Sequence, residues 1–195
     1  MASPCSPLAS PVSARLLGTS PAIAALRAQI LHLAAFDTVG SALVPTVLLL
    51  GETGTGKSLV ARVIHESGPR AGGPFIDVNC AAIPDTMLEA ELFGFEPGAF
   101  TDAKRAKQGL FEEASRGTLF LDEIDALPLA LQGKLLTAME TKRVRRLGAV
   151  TDRTIDVKII AATNAALLQH VAEGRFRADL YHRMAVVVLQ LPPLR

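Results

Sequence analysis

The stretch GETGTGKS, residues 51–58, is the feature of this sequence that most restricts its fold. It follows the apolar run TVLLL and precedes LVARVIHES, which has the pattern of a helix. Small residues at such a junction let several backbone N–H groups turn toward one anion, and the helix N-terminus adds a partial positive charge. The spacing G-x-x-x-x-G-K-[ST] is that of a P-loop. The alternative is a flexible turn closed by an ordinary solvated lysine.

In a P-loop, the lysine reaches the β and γ phosphates of a nucleotide and the following hydroxyl holds Mg²⁺. Here these positions are Lys57 and Ser58. The pattern therefore predicts a nucleotide and Mg²⁺ as ligands. The candidate nucleotide-binding residues of this segment are Gly51, Glu52, Thr53, Gly54, Thr55, Gly56, Lys57, Ser58 and Leu59.

Five short apolar runs recur along the chain, and each is typical of a strand buried between helices. Helical segments such as LALQGKLLTAME and NAALLQHVAEG lie between them. This alternation predicts a three-layer α/β fold with a mainly parallel five-stranded sheet, and a ligand site at the carboxyl ends of the strands. The predicted strands are 46–50, 75–80, 118–121, 157–163 and 186–191.

The N-terminal part divides into two segments by composition. Residues 1–18 are rich in Ser, Pro and Ala without periodicity, which predicts a disordered leader. The domain is then 19–195. It opens with a helix that has Ser20 as its N-cap and Pro21 at its first position.

Charge and cysteine content restrict the class of partner. Lys and Arg number 20 against 19 Asp and Glu, so the net charge of +1 indicates no direct contact with nucleic acid or membrane. The 2 cysteines have no metal-ligand spacing, and no stretch is apolar and long enough to span a membrane. We expect a soluble, cytoplasmic protein.

An acidic pair follows the third predicted strand, in GTLFLDEID. Asp122 can hold Mg²⁺ through water, and Glu123 can orient or deprotonate an attacking water. An acidic pair after a strand is also common in simple turns. Because a P-loop lies upstream, we interpret the pair as catalytic.

Three further polar residues end neighbouring strands. Thr163 and Asn164 are suited to sensing a γ-phosphate or aligning water, although Asn164 can equally be the N-cap of the next helix. Asn79 can bond Glu123 and hold it away from water. Its alternative is an ordinary polar residue at a strand end.

Two groups of basic residues need interpretation. In GRFRADLYHRM, the residues Arg175, Arg177 and Arg183 are either solvated or able to neutralise γ-phosphate charge in a neighbouring subunit. The run TKRVRRLG suggests DNA, but the neutral chain favours a solvated hairpin face or a subunit interface.

Five segments, GETGTGKS, ELFGFEPGAFTDA, GTLFLDEI, AATN and FRADLYHRM with LPPLR, together closely resemble one family. It is the AAA+ domain of bacterial enhancer-binding proteins, the ATPases that activate sigma-54 RNA polymerase. The resemblance covers about residues 19–195. It implies ATP and Mg²⁺ as cofactors and a ring homo-oligomer, usually a hexamer. The implied partners are the sigma-54 factor and its RNA polymerase holoenzyme, with DNA bound only through other domains.

The resemblance also implies a role for each matching residue. Lys57 and Ser58 fall at Walker A, and Asp122 and Glu123 fall at Walker B. Asn79 matches the partner of the family's glutamate switch. The remaining matches are Thr163 and Asn164 at sensor I, and Arg177 and Arg183 at the fingers supplied to the adjacent subunit.

The segment GAFTDA, residues 98–103, corresponds to the family's GAFTGA loop, which touches the sigma factor. Phe100 and Thr101 are the implied contacts. Phe100 can instead fold back on the domain. Asp102 replaces the motif's second glycine and adds a charge and a Cβ where the motif has glycine's backbone freedom.

Two other departures concern length. The loop 37–46 is longer than the family's usual link into the first strand. The chain ends at LPPLR, where the family continues into a helical lid with a sensor II arginine and then usually a helix-turn-helix. We therefore expect the lid to be absent from this chain and its ATP hydrolysis to be weak.

Three functions remain open. The first is Mg·ATP hydrolysis in a ring, coupled to remodelling of the sigma-54 holoenzyme. The second is a nucleotide-binding regulatory module that no longer activates sigma-54, because of Asp102 and the missing lid. The third is a metabolic P-loop kinase, which is weaker because no sequence feature indicates a substrate pocket or lid.

Overall fold

A central β-sheet organises the protein. The structure is a computed structural model that describes residues 12, 15–40, 44–164 and 166–193. The strands of these residues are β1 (Val47–Leu50), β2 (Phe75–Asn79), β3 (Gly94–Phe95), β4 (Lys107–Gln108), β5 (Thr118–Asp122), β6 (Arg143–Val144), β7 (Arg153–Thr154), β8 (Lys158–Thr163) and β9 (Val187–Gln190).

Five of these strands form one sheet in the order β2-β5-β8-β1-β9, and all neighbouring pairs are parallel. The predicted architecture is confirmed, and every predicted strand boundary lies within one residue of the observed one. The three inner strands are almost entirely buried, as expected. The outer strands β2 and β9 instead expose alternate residues, so one face of each strand is less covered by the helices.

Helices cover both faces of the sheet. They are α1 (Pro21–Phe36), α2 (Lys57–Ser67), α3 (Asp85–Phe93), α4 (Leu110–Glu113), α5 (Leu129–Thr141), α6 (Leu167–Ala172) and α7 (Ala178–Met184). One apolar core lies between the sheet and α1 with α2, and the other lies between the sheet and α3, α5 and α7. This arrangement gives the three layers that the alternation of strands and helices predicts.

Helix α1 begins as predicted. The Ser20 hydroxyl accepts a hydrogen bond from the Ile23 amide at 3.3 Å, and Pro21 occupies the first helical turn. Leu26, Ile30 and Leu33 are buried against α2 and the sheet because they recur at helical spacing.

Packed structure begins before the predicted boundary at residue 19. Val12 and Leu16 are buried in the same core as α1, and Arg15 pairs with Glu66 at 3.1 Å. The Leu16 amide donates a hydrogen bond to the Val12 carbonyl at 3.1 Å, and both side chains enter the same core. The surrounding Ser, Pro and Ala obscure this four-residue apolar spacing in the sequence. The rest of the predicted leader, residues 1–11 and 13–14, lies outside the described residues.

Two antiparallel hairpins stand outside the main sheet, β3 with β4 and β6 with β7. The second contains the basic run of the sequence, so the predicted hairpin is present. Arg145 is exposed and pairs with Asp152. Arg146 is not a solvated charge, because it is buried against Glu112 and Glu96.

None of the helices in the described part of the chain has both the length and the apolar character needed to cross a membrane.

Candidate functional site

The loop between β1 and α2 has the backbone of an anion site. Gly54 and Gly56 have φ angles of 85° and 89°, a region that L-residues rarely adopt. Gly56 is the N-cap of α2 and has no side chain with which to cap it. The first amides of α2 therefore point outward without an intrahelical acceptor, and the helix dipole adds positive potential there.

Lys57 lies inside this loop. Its ammonium donates hydrogen bonds to the Gly51 and Glu52 carbonyls at 2.9 and 3.1 Å, and the residue is buried. The Thr55 hydroxyl donates to the same Glu52 carbonyl at 2.8 Å. The next residues, Ser58 and Leu59, are exposed. A cation and a hydroxyl thus lie beside a ring of backbone amides, which is a donor set suited to a phosphate chain.

The end of strand β8 is hydrogen-bonded to the P-loop. Thr163 is aligned with Leu50, and its carbonyl accepts from the Gly51 amide at 3.4 Å. The Asn164 side chain donates to the Thr53 hydroxyl at 2.9 Å. Helix α6 begins only at Leu167, after Ala166, so Asn164 is not its N-cap and the helix is shorter than expected.

The acidic pair lies at the same edge of the sheet. Strand β8 separates β1 from β5, and β5 ends at Asp122. The Asp122 carboxylate accepts a hydrogen bond from the Glu123 amide at 2.9 Å, and Glu123 has a left-handed backbone, with φ 52° and ψ 48°. The P-loop and the acidic pair, far apart in sequence, therefore lie at the same edge of the sheet, on either side of the end of β8.

Asp125 is a site residue that our sequence analysis missed. Its carboxylate accepts a hydrogen bond from the Thr163 hydroxyl at 2.5 Å, so the turn after the acidic pair is tied to the end of β8. The signal was present, since Asp125 is the third carboxylate of LDEID. Nothing in the sequence indicated that Thr163 would face it.

Asn79 lies beside Asp122 in the β2–β5 register. Its side-chain oxygen accepts from the Ala81 and Ala82 amides at 2.9 and 3.1 Å, which caps the short helical turn Cys80–Ala82. This contact fits the alternative interpretation of Asn79, an ordinary polar residue at the end of a strand. The described residues show no hydrogen bond from Asn79 to Glu123, and that contact stays a prediction.

Negative potential is concentrated at this edge. Burial, together with the charges of Asp122, Asp125 and Glu123, raises the pKa of the Cys80 thiol to about 12. Burial and Asp122 also raise the pKa of Asp77. The thiol therefore stays protonated, and the carboxylates form a surface that attracts a cation.

The residues present fit a bound Mg²⁺ by their chemistry. Mg²⁺ prefers oxygen ligands and is usually held by one or two carboxylates, waters and the phosphates of a nucleotide. The Asp122 carboxylate at the end of β5 and the exposed Ser58 hydroxyl in the first turn of α2 are oxygens of this kind.

The two candidate finger arginines have different surroundings. Arg177 is exposed and precedes α7, where its guanidinium forms two hydrogen bonds with Asp179 at 3.0 and 2.7 Å. This pairing lowers the pKa of Asp179. Arg183 is partly buried, 3.5 Å from the Met139 carbonyl, and its Nε has no partner among the described residues.

The loop 98–103 is a tight turn. The Gly98 amide donates to the Ala103 carbonyl at 2.8 Å, and the Ala103 amide donates to the Phe100 carbonyl at 3.0 Å. Phe100 is 44% exposed and contacts Phe95 edge-on, with ring centroids 4.8 Å apart. Phe100 therefore packs against the domain on one side and keeps much of its ring in solvent, so it is intermediate between a free contact residue and one folded back on the domain. Thr101, next to it, is exposed.

Asp102 is exposed and does not need glycine's conformational freedom. Among the non-glycine residues described, positive φ angles occur at Arg116, Glu123 and Lys142. The expected backbone conflict at position 102 is therefore absent, and what the substitution adds to the loop is its charge.

Known proteins match almost the whole chain. The family model for the sigma-54 interaction domain matches residues 16–190. The response regulator protein PilR of Pseudomonas aeruginosa is 51% identical over 185 residues, which are 95% of this chain and 40% of PilR.

Solved structures match as well. NtrX from Brucella abortus, crystallised in complex with ATP, superposes with a TM-score of 0.80 at 39% identity, over 92% of this chain and 37% of NtrX. The P-loop NTPase domain of the sigma-54 transport activator from E. coli gives a TM-score of 0.58 at 21% identity, over 92% of this chain and 100% of that domain, which shows the fold alone. The chain spans about two fifths of the length of PilR and NtrX.

Proposed function

Because the chain belongs to the sigma-54 interaction domain family, we propose that it binds Mg·ATP and hydrolyses it to drive a sigma-54-dependent activator. The observation that carries the proposal is a pair of hydrogen bonds. The Asn164–Thr53 hydrogen bond and the Thr163–Asp125 hydrogen bond connect the P-loop, the end of β8 and the acidic turn in one site. Such a site can hold a triphosphate and a water at the same time.

Each residue has a role in this proposal. The amides of residues 54–58 and the Lys57 ammonium bind the phosphates, while Ser58 and Asp122 hold Mg²⁺. The chemistry that Mg²⁺ supplies when bound is neutralisation of charge on the phosphate oxygens. Glu123 orients and deprotonates the attacking water, and Thr163 and Asn164 align it. Asn79, beside Asp122, restrains Glu123 until ATP is correctly bound.

We place the complete site between subunits of a ring, most simply a hexamer. Arg177 and Arg183 then neutralise charge on the γ-phosphate of the adjacent subunit, where an arginine is the most effective group. The exposure of Arg177 supports this role. A lone subunit is then a poor ATPase.

The partner of the ring is the sigma-54 factor in its RNA polymerase holoenzyme, reached through Phe100 and Thr101. The solvent-exposed part of the Phe100 ring supports such a contact, because an exposed aromatic in a loop suits protein recognition. The activity belongs in the cytoplasm with the polymerase, and DNA contact belongs to other domains.

Steady-state ATP hydrolysis tests the enzymatic part. We expect Lys57→Ala to lose nucleotide binding and Glu123→Gln to keep binding while its kcat falls about 10²–10⁴-fold. Glu140→Gln, an exposed change on α5, is the matched control and should hydrolyse ATP normally. Turnover that survives both site substitutions would refute the proposal.

Size measurement tests the assembly. We expect the chain to form a larger oligomer in the presence of a slowly hydrolysed ATP analogue, and this oligomer to bind purified sigma-54. The loop-based part of the alternative, a regulatory module without sigma-54 activity, rests on Asp102. If that alternative holds, the chain with analogue fails to bind sigma-54, and Asp102→Gly restores the binding.

A further inference from the structure

Gln132 is a fully buried polar residue on helix α5, among apolar neighbours such as Leu131 and Leu135. A buried amide is unfavourable unless its hydrogen bonds are made. The residue takes no part in the site described above. Its position therefore calls for a reason beyond core packing.

The Gln132 amide makes three hydrogen bonds. Its Nε2 donates to the Leu127 carbonyl at 2.8 Å and to the Arg175 carbonyl at 3.1 Å. Its Oε1 accepts from the Arg177 amide at 2.8 Å. Two carbonyl partners and one N–H partner fix the orientation of the amide, because only one of its two flips matches donors to acceptors.

These bonds join two functional segments. Leu127 ends the short turn Ile124–Ala126 that follows Glu123, and the Ala126 amide donates to the Glu123 carbonyl at 2.9 Å. On the other side, Arg177 is the residue from which α7 begins. Gln132 therefore sets the separation between the backbone that carries the acidic residue and the backbone that carries the arginine.

The arginine segment has other anchors, so loss of Gln132 should not unfold it. Phe176 is buried, and the amides of Arg175 and Phe176 donate to the His170 carbonyl at 2.8 and 3.1 Å. The Arg177 amide, in contrast, has Gln132 as its acceptor. Gln132 thus affects the position of Arg177 more than the folding of the segment 175–177.

We propose that Gln132 is a positioning residue: it holds Arg177 in place for the neighbouring subunit and links it to the turn after Glu123 in its own subunit. The inference rests on the proposed function, since Arg177 acts there in the adjacent site. A buried, fully satisfied polar network is rigid, so it transmits a small displacement of the acidic turn to the arginine segment.

Hydrolysis kinetics give the first test. Gln132→Leu keeps the approximate volume and removes all three hydrogen bonds. We expect kcat to fall about 10–100-fold, because a displacement near 1 Å has an effect of that order, while KM for ATP changes less than about threefold. Thr118→Val is the matched control, since it removes a buried hydrogen bond to His65 and lies at the opposite end of β5. Its kcat should be unchanged, and an equal kcat loss in both variants would overturn the proposal.

Mixed rings give the second test. A Gln132→Leu subunit has an intact acidic pair but a displaced Arg177. A Glu123→Gln subunit lacks the catalytic carboxylate but has Arg177 in place. Mixing them should give more turnover than the sum of the two alone, as should mixing Arg177→Ala with Glu123→Gln. Recovery with Arg177→Ala but none with Gln132→Leu would overturn the positioning role.

Hydrogen exchange separates this inference from the proposed function. If the unaltered chain fails to hydrolyse ATP, or Arg177→Ala is fully active, the proposed function fails. Amide exchange still tests whether Gln132 holds Arg177 in place. Exchange of the Arg177 amide should be at least about tenfold faster in Gln132→Leu than in Thr118→Val. Equal exchange in the two variants would overturn the inference.

Discussion

At the scale of single residues, Glu123 has an unfavourable backbone conformation in the candidate site. A left-handed φ of 52° is uncommon for a residue with a side chain and costs about 1–2 kcal/mol. The conformation persists because the Asp122 carboxylate accepts from the Glu123 amide, and the Glu123 carbonyl accepts from Ala126. Backbone strain is thus stored at the residue to which we assign water activation.

Replacing Glu123 by glycine should separate stability from activity. We expect Glu123→Gly to unfold in urea with a free energy up to about 1 kcal/mol higher than Glu123→Gln, because glycine adopts this φ without strain. Both variants should lose hydrolysis. Arg116→Gly, at another positive φ of 63°, should gain similar stability and keep its activity. A lower stability for Glu123→Gly than for Glu123→Gln would contradict the strain argument.

His65 predicts a pH dependence of stability. The ring is buried and contacts the Thr118 hydroxyl at 3.0 Å, and burial is the main cause of a lowered pKa in the folded state. Since the unfolded chain binds the proton more readily, the free energy of unfolding should decrease as the pH falls from about 7 through the lowered pKa. Urea unfolding of the unaltered chain and His65→Gln between pH 8 and 5 should show a smaller decrease in the variant. Equal slopes would exclude His65 as the cause.

At the scale of elements, ion pairs hold the base of the loop that contains Phe100. Arg146 on the second hairpin pairs with Glu112 at 2.6 Å and with Glu96 at 3.1 Å, and Glu96 lies just before the loop. On the other side, Lys107 pairs with Glu91 at 2.6 Å. The loop is thus fixed at both ends, while Lys104 and Arg105 near its end are exposed.

Arg146→Met should loosen this loop. The substitution keeps the buried stem but leaves Glu112 with Arg153, 3.4 Å away, as its remaining charged partner, which should lower the free energy of unfolding by about 1–3 kcal/mol. Trypsin cleavage after Lys104 or Arg105 should become several-fold faster in the native state. Arg145→Met is the matched control, because among the described residues Arg145 pairs with the exposed Asp152 alone. Equal cleavage rates in the two variants would show that Arg146 does not hold the loop.

The elements show what could be predicted from the sequence and what could not. Strand boundaries were predictable because each strand is an apolar run that ends at polar or turn-forming residues. The P-loop and acidic pair were predictable because motif spacing places them at strand ends. The partners of Asn164, Asp125 and Gln132 were not predictable, since they lie 38 or more residues away or are set by the packing of α5 against a distant segment. Val12 was missed for the same reason, because its burial depends on α1 and α2.

At the scale of the whole molecule, a buried charge cluster lies at the opposite end of β8 from the candidate site. Asp37, just after α1, pairs with Arg70 at 3.1 Å and with Lys158 at 3.0 Å, and all three side chains are buried. Arg70 also pairs with Asp156 at 2.7 Å and donates to the Thr38 carbonyl. The described part of the long loop after α1 is therefore attached to the sheet, although residues 41–43 lie outside the description.

Asp37→Asn should reveal how strongly this cluster holds α1 to the sheet. The amide keeps the size of the side chain but leaves two buried cations with less compensation. We expect the free energy of unfolding to fall by about 3–5 kcal/mol, as in other buried pairs that lose one partner. Asp156→Asn is the matched control. Its carboxylate is partly exposed, so its loss should be clearly smaller.

The pH dependence of Asp37→Asn distinguishes lost charge pairing from poor packing. Burial already lowers the pKa of Lys158 in the folded state, against the opposing effect of Asp37, and removal of Asp37 should lower it further. The unfolded chain then binds more protons than the folded one over a wider range below the normal lysine pKa. Stability should therefore rise with pH between about 7 and 9, more steeply in Asp37→Asn than in the unaltered chain. Urea unfolding across that range measures both slopes, and identical slopes would mean that the variant is destabilised by packing alone.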